Sequence, residues 1–189
     1  MTKTRISHAL SSNDLLDPSS LSTTGPAYLT SPPIPSRAGA RPRIMPRILP
    51  QRQRPEPVPT ATRERLASLM RTLQGAHPDL LEVRPSHTEG KSTDGLYARQ
   101  DVPTLNPVAD DRVLQREIAH AHPVDNSLHV WLSDRDARAV IEAGWGQRFP
   151  LTFVQSGWVM VYAPREEAEV DIVERIVRAG VAWVTGVEI

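Results

Sequence analysis

Three of the chain's six histidines fall within ten residues, in the stretch REIAHAHPVDNSLHVWL between positions 116 and 132. If residues 120 to 122 are extended, His120 and His122 point to the same side of the chain, and the proline that follows disfavours a helix there. The polar segment PVDNS predicts a turn that leads into a strand carrying His129. A hairpin of this kind brings the three imidazoles close to Asp125.

Clustered imidazoles are compatible with three uses, and their spacing alone does not choose among them. Three ring nitrogens bind a transition metal, and two histidines with Glu117 or Asp125 imitate the facial triad of iron enzymes. An imidazole that titrates near neutral pH acts as a general base on a substrate held by Arg116 or Arg148. The third interpretation is structural, with rings that satisfy backbone groups under loops or are solvated.

A second candidate segment is GWGQRFPLT, at positions 144 to 152. Two glycines around Trp145 allow a tight turn, which makes its indole ring a candidate wall of a ligand pocket. Tyr162 and Arg165, in VYAPR, are candidates for the rim of such a pocket. The competing interpretation makes Trp145 a core residue and places Arg148 and Arg165 at the surface.

Charge and composition narrow the classes of protein. The 22 basic and 22 acidic residues cancel, but residues 1 to 60 carry a net charge of +5 and the remainder carries −5. A nucleic-acid-binding protein concentrates basic residues on its folded part, so this distribution argues against nucleic acid as a partner. The chain has no cysteine, which excludes thiolate chemistry, and no apolar run long enough to span a membrane. We expect a cytoplasmic protein without a membrane span.

The hydrophobic patterns predict a small α+β domain. Helical periodicity begins at residue 60, resumes after Ser133, whose spacing from Asp136 resembles a capping box, and returns in a last helix that ends or loosens at Gly180. A further short helix is predicted over residues 110–118. Strands are predicted at residues 80–84, 95–99, 127–132 and 158–163. The result is a mixed or antiparallel sheet of about four strands with helices packed on one side.

Prolines dominate the N-terminal third of the chain. Eleven of the eighteen lie in the first 60 residues, and the segment from residue 31 to residue 59 is typical of extended backbone. Residues 1–38 lack the apolar content that offsets the entropy of ordering, so they are predicted to be disordered. Further along, Ile44, Ile48 and Leu49 are candidates to anchor an extended arm on the domain.

The motifs REIAHAHPVDNSLHVWL, EAGWGQRFPL and VYAPREEAEVDIVERIV resemble, in their order and spacing, the luciferase-domain family, whose best-known member comes from luminous mushrooms. The segment GARPRIMPRILPQRQR, at positions 39 to 54, extends the resemblance upstream. On this basis the extended Pro-rich arm, residues 39–59, is part of a luciferase-like domain that covers residues 39–189.

The resemblance implies an enzyme that oxidises a pyrone enol with O₂, 3-hydroxyhispidin in the luminous fungi, and that needs neither a flavin nor a metal. No cofactor and no bound metal are therefore expected. An enolic pyrone is acidic and electron-rich, so a base that removes its proton makes an anion able to react with O₂. The implied partners are a small aromatic or pyrone-like molecule and O₂, and the sequence does not indicate an oligomeric state.

The candidate site residues follow from this chemistry. The three histidines match the family's histidine motif, Asp125 is placed to orient one ring, and Arg148 is a candidate to stabilise anionic charge. The predicted catalytic residues are His120, His122, His129, Asp125 and Arg148. The predicted substrate-binding residues are Arg116, Trp145 and Tyr162.

Two departures separate this chain from the luminous members. Phe149 stands where the family commonly has the histidine of Arg-His-Pro-Leu, and no apolar run in this sequence matches the N-terminal membrane segment that the resemblance leads us to expect. Light emission is therefore not expected. The leading hypothesis is a cofactor-independent, oxygenase-like enzyme that acts on a small enol. The alternatives are a non-catalytic binding or interaction module of the same fold and a metal-dependent enzyme that uses the histidine cluster.

Overall fold

Six antiparallel strands form one sheet in the computed structural model, which describes residues 14–189. The elements are α1 (Thr60–Ala76), β1 (Leu81–Pro85), β2 (Asp94–Ala98), β3 (Glu117–Ala121), β4 (Leu128–Trp131), α2 (Asp134–Glu142), β5 (Gly146–Arg148), β6 (Trp158–Val161) and α3 (Glu167–Thr185). The strand order is β1-β2-β3-β4-β6-β5. The predicted α+β class is confirmed, but the sheet has six strands rather than about four.

The two additional strands are β3 and β5. Strand β5 has three residues, too few for an alternating pattern to be recognised. Strand β3 overlaps the helix predicted over residues 110–118. That prediction is wrong, because Asp111 accepts hydrogen bonds from the backbone N–H groups of Val113 and Leu114 in a turn, and Gln115 and Arg116 have positive φ angles of 49° and 67°, which no helix allows. A 3-10 helix, Pro107–Asp110, precedes this turn.

The helices cover the sheet with their apolar stripes. Helices α1 and α3 pack on strands β1 to β4, and α2 packs on β5 and β6. Helix α3 does not end at Gly180 but continues to Thr185, and Gly186, with a left-handed φ of 74°, caps it. A Cβ on Gly180 would lie 2.8 Å from the carbonyl oxygen of Trp131, so glycine allows the helix to approach the strand closely. Within the described residues, no helix is both long and apolar enough to cross a bilayer.

Residues 14–38, which composition predicts to be disordered, lie against the domain in the structure. Leu21, Leu29 and Ile34 are buried and belong to the hydrophobic core. The carboxylate of Asp136 in α2 accepts hydrogen bonds at 3.0 Å from the backbone N–H groups of Tyr28 and Leu29. Three widely spaced apolar side chains therefore attach a segment whose average composition is polar. The first 13 residues of the predicted disordered segment lie outside the described part of the chain.

Candidate functional site

The hairpin of β3 and β4 brings the three histidines together, as the sequence predicts. His120 and His129 are directly opposite each other in the register of the two strands. His122 follows β3, and its backbone N–H donates to the carbonyl of Ser127 at 2.8 Å, which closes the turn. The three ring centroids lie 4.9–5.2 Å from one another. All three side chains are buried.

A β-bulge in β3 adds Glu117 to the cluster. The pairing of β2 with β3 shifts between Leu96 and Tyr97, so that β3 has one extra residue at this point. In a regular strand, residues three apart point to opposite faces. The bulge puts the carboxylate of Glu117 on the same face as His120, with its Oε1 2.8 Å from the ring's Nδ1. The hydroxyls of Ser86 and Tyr97 also donate to this fully buried carboxylate.

Glu89 contributes a further carboxylate from the loop between β1 and β2. Its Oε1 lies 3.4 Å from Nε2 of His120 and 3.7 Å from Nε2 of His122. Arg52, from the Pro-rich arm, forms a salt bridge with Glu89 on the outer side. Glu89 and the three histidines each offer one ligand atom, and these atoms all lie within 4.8 Å of one another. The four side chains are therefore able to hold a metal ion.

The charged groups shift one another's protonation. Burial disfavours the charged form of His120, but Glu117 and Glu89 outweigh this effect and raise its pKa. Burial lowers the pKa of His122 and lowers that of His129 well below its usual range, and the neighbouring positive groups act in the same direction. Burial opposes ionisation of Glu89, yet hydrogen bonds and charge from His120 and Arg52 hold its pKa at about 2. The cluster thus combines ionised carboxylates with at least two rings that favour the neutral form.

A cavity of about 580 Å³ adjoins the cluster. His120, His129 and Glu89 lie on its polar wall, while His122 faces a separate hollow beside α1. The indole of Trp158 stacks on His129 with ring centroids 5.6 Å apart and planes 18° apart. The apolar part of the wall consists of Leu49, Pro50, Val113, Leu114, Phe149, Leu151, Phe153, Val154 and Trp158. This volume lies within the range of about 300–1,000 Å³ that is typical of small-molecule sites.

Besides His122, five of the predicted site residues do not line this cavity. Trp145 donates its indole N–H to the carbonyl of Pro35 at 2.7 Å, and Tyr162 bonds to Gln147, so both help to hold buried contacts near the arm. Arg116 lies in the turn directly before β3, where it lines a shallow hollow together with Glu82 and Arg99. Arg148 meets the site through its carbonyl, which accepts from the Gln51 side chain. The fifth, Asp125, accepts from the hydroxyl of Ser127, next to His122.

Sequence reasoning missed the residues that loops and the arm contribute. Glu89 lies in SHTEGKSTD, between the strands predicted at residues 80–84 and 95–99, and Gln51 and Arg52 lie in the segment predicted to be extended. No periodicity or spacing connects these positions to the histidines. The one available signal was the resemblance over residues 39–54, which indicated that the arm belongs to the domain but not where its side chains point.

Comparison with known proteins agrees with the motifs. Residues 115–180 match the family model described as a luciferase domain. The chain is 34% identical over 165 residues to a luciferase of Neonothopanus nambi, covering 80% of this chain and 61% of the relative. It is 32% identical over 166 residues to a luciferase of Armillaria gallica, with coverage of 82% and 62%. The matches thus span less than two thirds of these relatives. No solved structure matches the chain significantly.

Proposed function

Because this chain belongs to the luciferase-domain family, we propose that it is an enzyme that binds a small aromatic or pyrone-type enol in the 580 Å³ cavity and reacts it with O₂. The observation that carries this proposal is the position of His120 and His129 on the wall of a largely apolar cavity. A flat aromatic molecule fits between apolar side chains there and presents its acidic hydroxyl to the imidazole wall. Light emission is not part of the proposal.

The chemistry starts with removal of the enol proton. A neutral imidazole is the form that accepts a proton. Burial lowers the pKa of His129, which keeps the ring neutral but also makes it a weaker base. The resulting enolate is stabilised by a nearby positive group. Arg52 lies on the cavity wall, whereas Arg148 does not, so we assign the stabilising role to Arg52. Its salt bridge to Glu89 holds the guanidinium beside the cluster.

A second candidate function is binding without catalysis. Phe149 lies against His129, with ring centroids 5.3 Å apart in an edge-on arrangement. The family resemblance predicts histidine at the position of Phe149, so this chain has an apolar ring where a titratable one is expected. A domain that still binds the molecule but has lost catalytic activity would show this difference.

Oxygen uptake in the presence of 3-hydroxyhispidin and related enols tests the proposal. We expect the full chain to consume oxygen in the presence of an enol. In Val154→Trp the rate of oxygen uptake should fall at least about tenfold, because the larger ring fills the cavity. Val124→Trp is the matched control, since Val124 is 80% exposed and does not line the cavity.

The result that rejects catalysis is the absence of oxygen uptake above the enol's own rate of autoxidation. If the enols then still quench the intrinsic tryptophan fluorescence of wild type, and do so less in Val154→Trp, the binding module is the better description. Unfolding curves of both variants verify that the comparison is made between folded proteins.

A further inference from the structure

The outer nitrogen of each clustered histidine has a hydrogen-bond partner that fixes its tautomer. Nδ1 of His120 lies 2.8 Å from Oε1 of Glu117. That carboxylate also receives hydrogen bonds from Ser86, Thr88 and Tyr97, so it is an acceptor only. Nδ1 of His120 must therefore carry a hydrogen, and in the neutral ring its Nε2 presents a lone pair.

The same reasoning applies to His122. Its Nδ1 lies 2.8 Å from Oγ of Ser127. The Ser127 hydroxyl donates its only hydrogen to the carboxylate of Asp125, and its oxygen is therefore left to accept. Nδ1 of His122 is the donor, and Nε2 presents the lone pair.

Gln51 fixes the third ring. Its amide nitrogen donates to the carbonyl of Arg148 at 2.9 Å, which directs the amide oxygen toward Nε2 of His129 at 3.2 Å. An amide oxygen accepts only, so Nε2 of His129 carries the hydrogen and Nδ1 presents the lone pair.

The three lone pairs converge on one point. Nε2 of His120 lies 3.1 Å from Nε2 of His122 and 3.2 Å from Nδ1 of His129. Oε1 of Glu89 adds a fourth electron-rich atom at 3.4 Å from the His120 nitrogen. Four acceptors at these distances repel one another unless a cation lies among them. The cluster is therefore arranged around a positive charge.

We propose that Glu89, His120, His122 and His129 bind one divalent first-row transition-metal ion. Imidazole nitrogens with a carboxylate oxygen are the ligand set that such ions prefer. Ligand atoms of a tetrahedral ion with bonds of about 2.0–2.1 Å lie about 3.3 Å apart, and the close contacts of the cluster, 3.1–3.7 Å, span that distance. The proposal replaces the expectation of a metal-free cluster and does not depend on the identity of the organic substrate. With the ion bound, Nδ1 of His129 has no free lone pair, so general-base catalysis by His129 belongs to the metal-free chain.

The surroundings of the cluster match what a metal site requires. In metal sites each histidine ligand usually donates its other N–H to a carboxylate, an amide or a similar acceptor. The acceptors of the three histidine N–H groups here are Glu117, Ser127 with Asp125, and Gln51. Glu89 in turn accepts a hydrogen bond from Arg52. The carboxylates of Glu89, Glu117 and Asp125 carry three negative charges, and the guanidinium of Arg52 carries one positive charge. Their net charge of −2 suits a divalent ion.

A proton shared among the three rings is the competing occupant, and metal titration separates the two. The full chain, purified without a histidine tag and treated with chelator, is titrated with Zn²⁺ and with Co²⁺ alone. We expect one equivalent of each to bind, with visible d–d absorption from Co²⁺ in nitrogen and oxygen coordination. Glu89→Gln and His122→Ala should each weaken binding by at least about tenfold. His77→Ala, a histidine outside the cluster, should leave it unchanged.

Less than about a tenth of an equivalent of either ion bound to the wild-type chain overturns the proposal in favour of the shared proton. Equal affinity in Glu89→Gln, His122→Ala and wild type overturns it as well, because the ions would then bind elsewhere. Circular dichroism of each variant checks folding, and Glu89→Gln keeps all three imidazoles if His122→Ala does not fold. The readout is metal binding, so the result is independent of oxygen uptake.

Discussion

At the scale of single residues, Phe149 lies against His129 at the position where the family resemblance predicts a histidine. Phe149 is half-buried and forms part of the apolar wall of the cavity. Its ring meets His129 edge-on and so limits the access of water to one side of that imidazole. The substitution therefore changes the polarity of the wall beside the cluster without removing any of the three histidines.

Phe149→His tests whether the parent chain has lost its chemistry. We expect wild type to be active already and Phe149→His to change the rate of enol-dependent oxygen uptake by less than about tenfold, equivalent to about 1.4 kcal/mol in the barrier. Phe149→Leu is the control, because it keeps an apolar side chain against His129. If oxygen uptake appears only in Phe149→His, the parent is a binding module.

The site was predictable at this scale only where its residues are close in sequence. The prediction that His120, His122 and His129 converge needed only the alternation of an extended chain and a polar turn. Glu117 was named as a possible partner, but its contact with His120 depends on a bulge that no local pattern indicates. Glu89 and Arg52 reach the cluster through tertiary packing of a loop and the arm, which a single sequence does not specify.

At the scale of elements, Gly180 allows helix α3 to approach strand β4 closely. The positions nearest to a Cβ on Gly180 are the carbonyl oxygen of Trp131 at 2.8 Å and Cγ1 of Val130 at 3.1 Å. The sequence predicts that Gly180 interrupts the helix, since glycine is a weak helix former. The structure shows instead that it lets a continuous helix lie against the strand that carries His129.

Gly180→Ala should lower the free energy of unfolding by about 1–3 kcal/mol, because the added methyl forces the helix away from β4. Gly75→Ala, in helix α1, is the matched control. No atom lies within 4 Å of a Cβ at Gly75, so alanine should raise stability there by about 0.5–1 kcal/mol. Urea denaturation of both variants gives the comparison, and a stabilised Gly180→Ala would refute the close-packing argument.

The fold class followed from local patterns, whereas the strand count did not. Helices α1, α2 and α3 were predicted because each has a long apolar stripe or a clear cap, such as Ser133, whose hydroxyl accepts from the backbone of Asp136. Strand β5 is too short to show alternation, and the turn before β3 has an apolar spacing that imitates a helix. Pairing with neighbours defines both strands, and pairing is not visible in one sequence.

At the scale of the whole molecule, the segment just before the Pro-rich arm is fastened to the domain by a buried ionic contact. The guanidinium of Arg37 lies 5.6 Å from the ring centroid of Trp145 and 3.7 Å from a carboxylate oxygen of Glu169 in α3. Glu169 also accepts from the backbone N–H of Arg165 at 2.8 Å. Burial opposes ionisation of Glu169, but hydrogen bonds from Arg165 and the charge of Arg37 hold its pKa below the usual value.

Glu169→Gln should lower the free energy of unfolding by about 1–2 kcal/mol at pH 7. The pKa of Glu169 is lower when folded, so its contribution is present above the ordinary carboxyl pKa of about 4.3 and is lost as pH falls through the folded value. The difference between wild type and Glu169→Gln in urea denaturation should therefore shrink with falling pH. A difference that stays constant on acidification would contradict this, and Glu167→Gln, an exposed neighbour, is the control.

The large cavity and the helices lie on different parts of the molecule. Among the described residues, none of those that line the 580 Å³ cavity belongs to α1, α2 or α3. Heat tolerance and ligand preference can therefore be improved in separate rounds of laboratory selection. Helix positions can be varied to raise heat tolerance, while the arm and the loops are varied to accept a different small molecule.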